Sequence, residues 1–455
     1  MRPSPPTAFS NEPGGNVADA NRRLANRILL GLVVGAVAGV LTLVAGPFFP
    51  RLLEGARWVA THLLDPVGQV FLRMLFFVII PLIFASLALG IVQLGDLRRL
   101  GPLAARTFTL FFLNMSIAVV LGLVMMNVLT PGDHLDADAK ARLLEEFGGA
   151  AGRVAEAHAS APEVTPALVV DMFMPRNLFG AFVGNQRNVL GDVLPLILFA
   201  ILVGAAGVGL AAERRERLQH ALETVAQLMT NIVHFALRLA PYAVPALIYS
   251  VIVKIGFGIL VALGVFVLGC IFVMLLHLFG TMSVWLRLWT SWKPARFFRE
   301  IRDVLITAFS TSSSSATLPT ALAAARERLN ITPSTAGFVL PLGTTMNMSG
   351  TALYEGCVVL FVAQVFGVDL SFSQQVTLTL LAVLSAVAVA GIPGGALPLI
   401  AGLLITFGIP PEGIGIVLGV ERLLDMTRTM VNVGSDVVTT VVVDARSHAA
   451  VSAEP

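Results

Sequence analysis

Residues 310–319 read STSSSSATLP: six consecutive hydroxyl side chains, then Ala316, Thr317, Leu318 and Pro319. A serine run of this kind normally marks a flexible, solvated linker. Here it sits between long apolar stretches of a 455-residue chain that is 56% hydrophobic and 13% charged, with a mean hydropathy of +0.84. A second polar interruption, GIPGGALP at 391–398, divides another apolar stretch in the same way. Phe297–Leu329 and Phe372–Phe407 thus each hold two half-length helical pieces around a polar tip. Each piece is about a dozen residues, short of the roughly 20 needed to cross a bilayer core. Non-helical backbone at membrane depth survives only where protein buries it or a wet cavity adjoins it. The two stretches therefore predict re-entrant helical hairpins whose tips meet at a binding site, one hairpin from each side.

Working outward, apolar segments long enough to span begin near Ile28, Val70, Thr107, Val189, Met229, Ile259, Gly337 and Gly413. The fold expected is an all-α membrane protein of eight transmembrane helices plus two re-entrant hairpins, arranged as inverted repeats. Residues 1–20, rich in Pro, Gly and Asn, read as a disordered tail and not a signal peptide. A net charge of +2 gives no reason to expect a nucleic-acid partner. Cys270 and Cys357, the only cysteines, exclude a disulfide framework and offer no metal-ligand spacing. Arg22, Arg23 and Arg27, then Arg98, Arg99 and Arg106, then Arg214, Arg215 and Arg217, fall on one side of this topology. So do Lys293, Arg296, Arg299, Arg302, Arg326 and Arg328, which flank the first hairpin. The bias of Lys and Arg toward the cytoplasm then places both termini inside, with the first hairpin entering from the cytoplasm and the second from outside. The loop from Pro131 to about Pro166 lies outside.

The last span carries the chemistry. Within ERLLDMTRTMVNVGSDVVTTVVV (421–443), residues Asp425, Arg428, Thr429, Asn432 and Asp436 fall on one helical face, within about 50° of its mean direction. Ionisable groups at that depth cost at least about 2.5–3.5 kcal/mol each and mark transport pathways. A self-neutralising pair of Asp425 with Arg428 would be the structural alternative, but it leaves Asn432 and Asp436 without a purpose. Functionally, Arg428 can hold a carboxylate in a two-pronged hydrogen bond, Asp425 can receive an ammonium, and Asn432 offers amide contacts. Asp436 is a hard oxygen ligand for a small cation. A molecule with an amine and an extra carboxylate matches this set. Upstream, LPLGTTMNMSGTALYEG (340–356) breaks an apolar run at Asn347, Ser349, Gly350 and Thr351. An unwound turn there frees carbonyls for cations and hydroxyls for substrate. Glu355, one turn beyond Thr351 in an apolar stretch, suits a proton carrier, because burial disfavours a carboxyl's charged form.

The serine-rich SSSSATLP, the NMSGTALY turn, the GIPGG tip, DMTRTMVNVGSD and LRMLFFVIIPLIFASLALGI (72–91) together resemble the dicarboxylate/amino acid:cation symporter family. That family includes archaeal aspartate transporters and excitatory amino acid transporters. The resemblance runs from the first span to the end of the last. It implies a secondary active symporter in the cell membrane, a homotrimer that imports glutamate or aspartate by alternating access. No enzyme activity or cofactor is implied, only H+ and/or Na+ as coupling ions. A scaffold would comprise residues 21–106 and 131–258. A mobile transport domain would comprise 107–130 and 259–445, followed by a tail at 446–455. Substrate contacts would be Ser313, Ser314, Thr351, the backbone of Ile392, Pro393 and Gly394, and Asp425, Arg428, Thr429 and Asn432. One cation position would use carbonyls near Gly343, Asn347 and Asn432 with the Asp436 carboxylate. Another would use carbonyls of Thr345 and of the turn holding Ala386, Val387 and Val389.

Departures from the family pattern concern the coupling ion. Ser349 stands where the family turn commonly has aspartate. Phe111, Asn114 and Met115 replace Tyr, Thr and Ser of the sodium-driven archaeal pattern. Glu355 stands where the archaeal transporters have Gln and the excitatory ones carry their proton. The expectation is proton-assisted coupling with reduced or no use of sodium. Alternatives within the class are a sodium-coupled C4-dicarboxylate transporter, which would leave Asp425 without an ammonium, and a small neutral amino acid transporter, which would leave Arg428 unpaired. A channel would need a selectivity filter and a receptor a signalling domain, and neither is evident. An enzyme lacks support, since the serine run has no neighbouring His base.

Overall fold

The computed structural model describes residues 13–94, 101–135, 193–389 and 395–451, with isolated positions 138, 140, 141, 174 and 177–179. Among these the chain is helical, with no strand. A helix covers each of the eight apolar segments. They begin with α1 (Pro13–Ala45), α2 (Pro50–Val59), α3 (Asp65–Phe77), α4 (Ile79–Leu94), α5 (Gly101–Leu129) and α6 (Val193–Val208). Next come α7 (Ala212–Leu237), α8 (Ala240–Ile255), α9 (Gly258–Leu275), α10 (Met282–Trp289) and α11 (Pro294–Glu300). The rest are α12 (Arg302–Thr311), α13 (Ser314–Glu327), α14 (Pro333–Met346), α15 (Ser349–Val365), α16 (Phe372–Ala388), α17 (Leu397–Thr406) and α18 (Ile414–Val451).

By length and composition, four helical stretches among the described residues can cross a membrane: Asn26–Ala45, Leu103–His134, Gly258–Trp289 and Pro333–Val365. The α7–α8 pair, bent by 58°, makes a fifth when taken as one span. Pro241, at the start of α8, has no N–H to continue the ladder from α7 across that break. α18 is longer than any of these, but its polar stripe keeps it out of the set. The helix of α1 reaches back to Pro13, inside the segment expected as a disordered tail. Proline at a first helical position starts a helix without losing a bond, and the Ala- and Arg-containing stretch that follows continues it. At the other end α18 runs to Val451.

Packing divides into neighbourhoods. α1 lies along α8, and α4 lies against α6 and α7. α5 lies along α15 and α9, while α12, α14 and α15 all pack on α18. α15 is the centre of the second group: of its residues, all but Gln364 are buried. A helix apolar on every side belongs inside, so its few polar groups are placed by neighbours rather than by water.

Two breaks among the described residues shape the site. α12 and α13 are joined through Ser312, which sits in the left-handed region at φ 51°, and Ser313, whose hydroxyl accepts from the Ala316 amide at 3.2 Å and caps α13. Thr311 and Thr317 bond across this break at 3.3 Å. α14 and α15 are separated by Asn347 and Met348, whose ψ angles of 57° and 61° interrupt the helix. α16 starts with a reciprocal cap between Ser371 and Gln374 and ends at Ala388; the tip residues Ile392, Pro393 and Gly394 lie outside the described residues.

Candidate functional site

The site is built where the α14–α15 break faces the middle of α18. An unwound backbone exposes amides, and α18 supplies the side chain that takes them. Asn432 Oδ1 accepts from the amides of Gly350 at 2.8 Å and Thr351 at 3.2 Å. Its Nδ2 donates to Thr351 Oγ1 at 3.0 Å. The first amides of a helix have no intrahelical acceptor, so Asn432 acts as a cap supplied by another helix. Gly350 is required by this closeness: a Cβ there would stand 2.5 Å from the Arg428 carbonyl oxygen. Beside it the Ser349 and Ser435 hydroxyls meet at 2.9 Å, where the family pattern would place a carboxylate.

One turn further along α18, Asp436 enters a chain of amides. Asn114 of α5 donates to Asn347 Oδ1 at 2.8 Å, and Asn347 Nδ2 donates to Asp436 Oδ1 at 2.9 Å. Gly343 lies so close that a Cβ would come 2.6 Å from the same oxygen. Asp436 Oδ2 and Asn114 Oδ1 are buried without partners. Two orphaned oxygens beside the frayed end of a helix suit a small hard cation or a proton. Gly343 and Asn347 thus lie against Asp436, while Asn432, one turn earlier on α18, is engaged by Gly350 and Thr351. Thr345 faces outward and its hydroxyl returns to the Leu342 carbonyl at 3.0 Å. Ala386, Val387 and Val389 stand at the C-terminal end of α16, a helix that packs on α14.

In the other direction along α18 lies the charged cluster. Arg428 bonds Asp425, and Arg422 reaches the other Asp425 oxygen at 3.3 Å. The pair expected as the structural alternative is therefore present, with a second arginine added. Arg428 is not saturated by it: among the described residues, Nε and Nη1 are buried with no partner. Thr429 turns its hydroxyl back to the Asp425 carbonyl at 2.9 Å. Ser313 and Ser314 are buried at the start of α13, which packs on α18 together with α12. Glu355 is fully buried in α15, and among the described residues neither of its oxygens has a hydrogen-bond partner; its polar neighbour is Ser385 of α16.

Sequence reasoning missed three members. Glu421 accepts a hydrogen bond from Tyr354 of α15 and is buried beside Arg422. Both lie one turn before Asp425; the same 100° count puts Glu421 on the face already identified and Arg422 at its edge. The role of Asn114 as a donor to Asn347 required the packing of α5 on the α14–α15 break and had no local signal.

Comparison with known proteins identifies the family. The family model described as the sodium:dicarboxylate symporter family matches residues 24–446. The proton/sodium-glutamate symport protein of Bacillus subtilis (strain 168) is 30% identical over 423 residues, covering 92% of this chain and 91% of that protein. The proton/glutamate-aspartate symporter of Escherichia coli (strain K12) is 29% identical over 426 residues, covering 93% of each. The C4-dicarboxylate transport protein of Bacillus subtilis (strain 168) is 28% identical over 386 residues, covering 84% and 86%.

Proposed function

Because the chain belongs to the sodium:dicarboxylate symporter family, we propose that it imports glutamate or aspartate across the cell membrane together with a cation. The observation that carries this is the Arg428–Asp425 pair: a buried guanidinium with two unused donors beside a buried carboxylate. A substrate with two carboxylates and an ammonium satisfies both. Its side-chain carboxylate takes Arg428 in a two-pronged bond, and its ammonium takes the place that Arg428 vacates on Asp425. Ser313, Ser314, Thr351, Thr429, Asn432 and the Ile392–Gly394 backbone complete the contacts. A C4-dicarboxylate would leave Asp425 facing no ammonium, which disfavours it despite relatives named for that transport.

Transport follows by alternating access. In the proposed topology eight spans and two re-entrant hairpins, α12–α13 and α16–α17, form inverted repeats, with both termini cytoplasmic. Residues 107–130 and 259–445 move as a unit against a trimeric scaffold of 21–106 and 131–258. The packing of α5, α9, α12, α14 and α15 around α18, and of α1 on α8 and α4 on α6 and α7, is consistent with that division. Cations would sit by Asp436 with carbonyls of Gly343, Asn347 and Asn432, and by those of Thr345 and the Ala386–Val389 turn. Glu355 would carry a proton. The Asn347 amide already donates to one Asp436 oxygen, which leaves fewer oxygens for a sodium ion and favours proton assistance with reduced or no use of sodium.

Uptake in proteoliposomes under separately imposed gradients tests the coupling. An inward proton gradient should drive accumulation with little sodium present, and Glu355→Gln should lose that response. Accumulation driven by sodium alone, unchanged in Glu355→Gln, would refute it.

A further inference from the structure

A cavity of about 40 Å³ lies beyond the substrate cluster, between α18 and the helices α1, α3, α7 and α8. Its volume is sufficient for about two or three water molecules. Three charged side chains of α18 line it, Glu421, Arg422 and Asp425, and His234 of α7 stands opposite. The rest of the wall, from α1, α3, α8 and α17, is apolar. Glu421 is 6% exposed. One of its carboxylate oxygens accepts from Tyr354, while Oε1 is buried without a partner. A carboxylate oxygen in that condition is poorly stabilised as an anion and is ready to hold a hydrogen.

Charge balance says when it does so. With all four ionised, Glu421, Arg422, Asp425 and Arg428 sum to zero. Asp425 is contacted by both arginines. Glu421 makes no ion pair among the described residues; Arg422 follows it in the chain and Arg428 lies two turns on along α18. Around it the other titratable groups are Tyr354 of α15, Cys270 of α9 and His234 across the cavity, none of which adds a fixed positive charge. An acidic amino acid brings one net negative charge and draws Arg428 onto its own carboxylate. The cluster thereby turns negative, and Glu421 is its carboxyl without an ion pair among the described residues.

We infer that Glu421 is a second proton-carrying carboxyl of the transport cycle, distinct from Glu355, which takes a proton through the cavity when substrate engages Arg428. The inference rests on the proposed acidic amino acid substrate. The proton enters from water in the cavity, resides on Glu421 Oε1 while Arg428 is occupied, and returns to water once substrate leaves and Arg428 swings back. No bond other than O–H forms or breaks, and substrate and proton cross together.

Calorimetry of L-aspartate binding to the purified full chain, in two buffers of different ionisation enthalpy, counts the protons taken up. The wild type should take up at least one proton per aspartate. Where it takes up one, its apparent Kd should rise about tenfold per pH unit. Glu421→Gln, which can still accept the Tyr354 hydrogen bond, should bind aspartate with about one proton fewer and a correspondingly flatter pH profile. Glu421→Asp, keeping the carboxyl, should restore the uptake; it serves as the decisive comparison with wild type and Tyr354→Phe if the glutamine variant does not fold. Tyr354→Phe should shift the pH range of proton uptake without abolishing it. Equal proton uptake by Glu421→Gln and wild type overturns the proposal, as does loss of all proton uptake in Glu355→Gln while Glu421→Gln keeps it. Wild-type protein that binds succinate but not aspartate overturns the substrate assignment itself, a failure visible before any variant is made.

Discussion

Replacing Arg428 with cysteine separates substrate recognition from folding. In the structure Arg428 spends one nitrogen on Asp425 and keeps two buried donors unused. A two-pronged bond to a substrate carboxylate uses such donors, and hydrogen bonds to charged groups contribute about 1.5–3 kcal/mol each. Two of them amount to at least about 3 kcal/mol, or more than about a hundredfold in Kd. Breaking a buried ion pair by deleting one partner ordinarily costs about 3–5 kcal/mol because the other charge is stranded. Asp425 is not stranded here, since Arg422 remains 3.3 Å away. Arg428→Cys should therefore fold, with a loss of stability at or below the lower end of that range. Titration calorimetry with L-aspartate, paired with thermal melting of the same sample, measures both quantities. A folded variant whose aspartate Kd lies within threefold of wild type would refute the assignment of Arg428.

Two further substitutions probe the cation end of the site and the helices outside it. Gly343→Ala places a methyl 2.6 Å from Asp436 Oδ1; it should destabilise by about 1–3 kcal/mol and weaken the dependence of aspartate Kd on sodium or pH, and an unaltered dependence would remove Asp436 from coupling. Lys254→Met deletes the ammonium that, with Ser250, holds Asp65 between α8 and α3. The side chains are 12% and 19% exposed, so the cost should be about 1–3 kcal/mol, below that of a fully buried pair; the melting temperature should fall while aspartate Kd stays constant, and an altered Kd would show coupling to the site.

What the sequence made legible follows from cost. Charged residues inside an apolar helix are expensive, so Asp425, Arg428 and Asp436 stood out, and the 100° rotation put them on one face with Asn432. Polar breaks within apolar stretches are equally conspicuous, and both the serine-rich break and the Asn347–Met348 break are present. Partner choice was less visible. That Asn432 would serve as a cap for α15, or that Asn114 would bond Asn347, depends on how helices distant in sequence pack, which periodicity on one helix cannot express. Arg422 and Glu421 were legible at the head of the 421–443 stretch, one turn before Asp425, but the stripe was counted only from Asp425 onward. The helical start at Pro13 was obscured because Pro, Gly and Asn weigh toward disorder, although proline is favoured in a first helical turn.

Counterflow in proteoliposomes tests the central claim most directly, because exchange requires a substrate site that faces both sides and needs no imposed gradient. Vesicles preloaded with unlabelled L-aspartate should transiently concentrate labelled aspartate and glutamate from outside, and Arg428→Cys should abolish this. Labelled succinate and alanine should not enter above equilibrium. Counterflow of succinate with none of aspartate or glutamate would contradict the account.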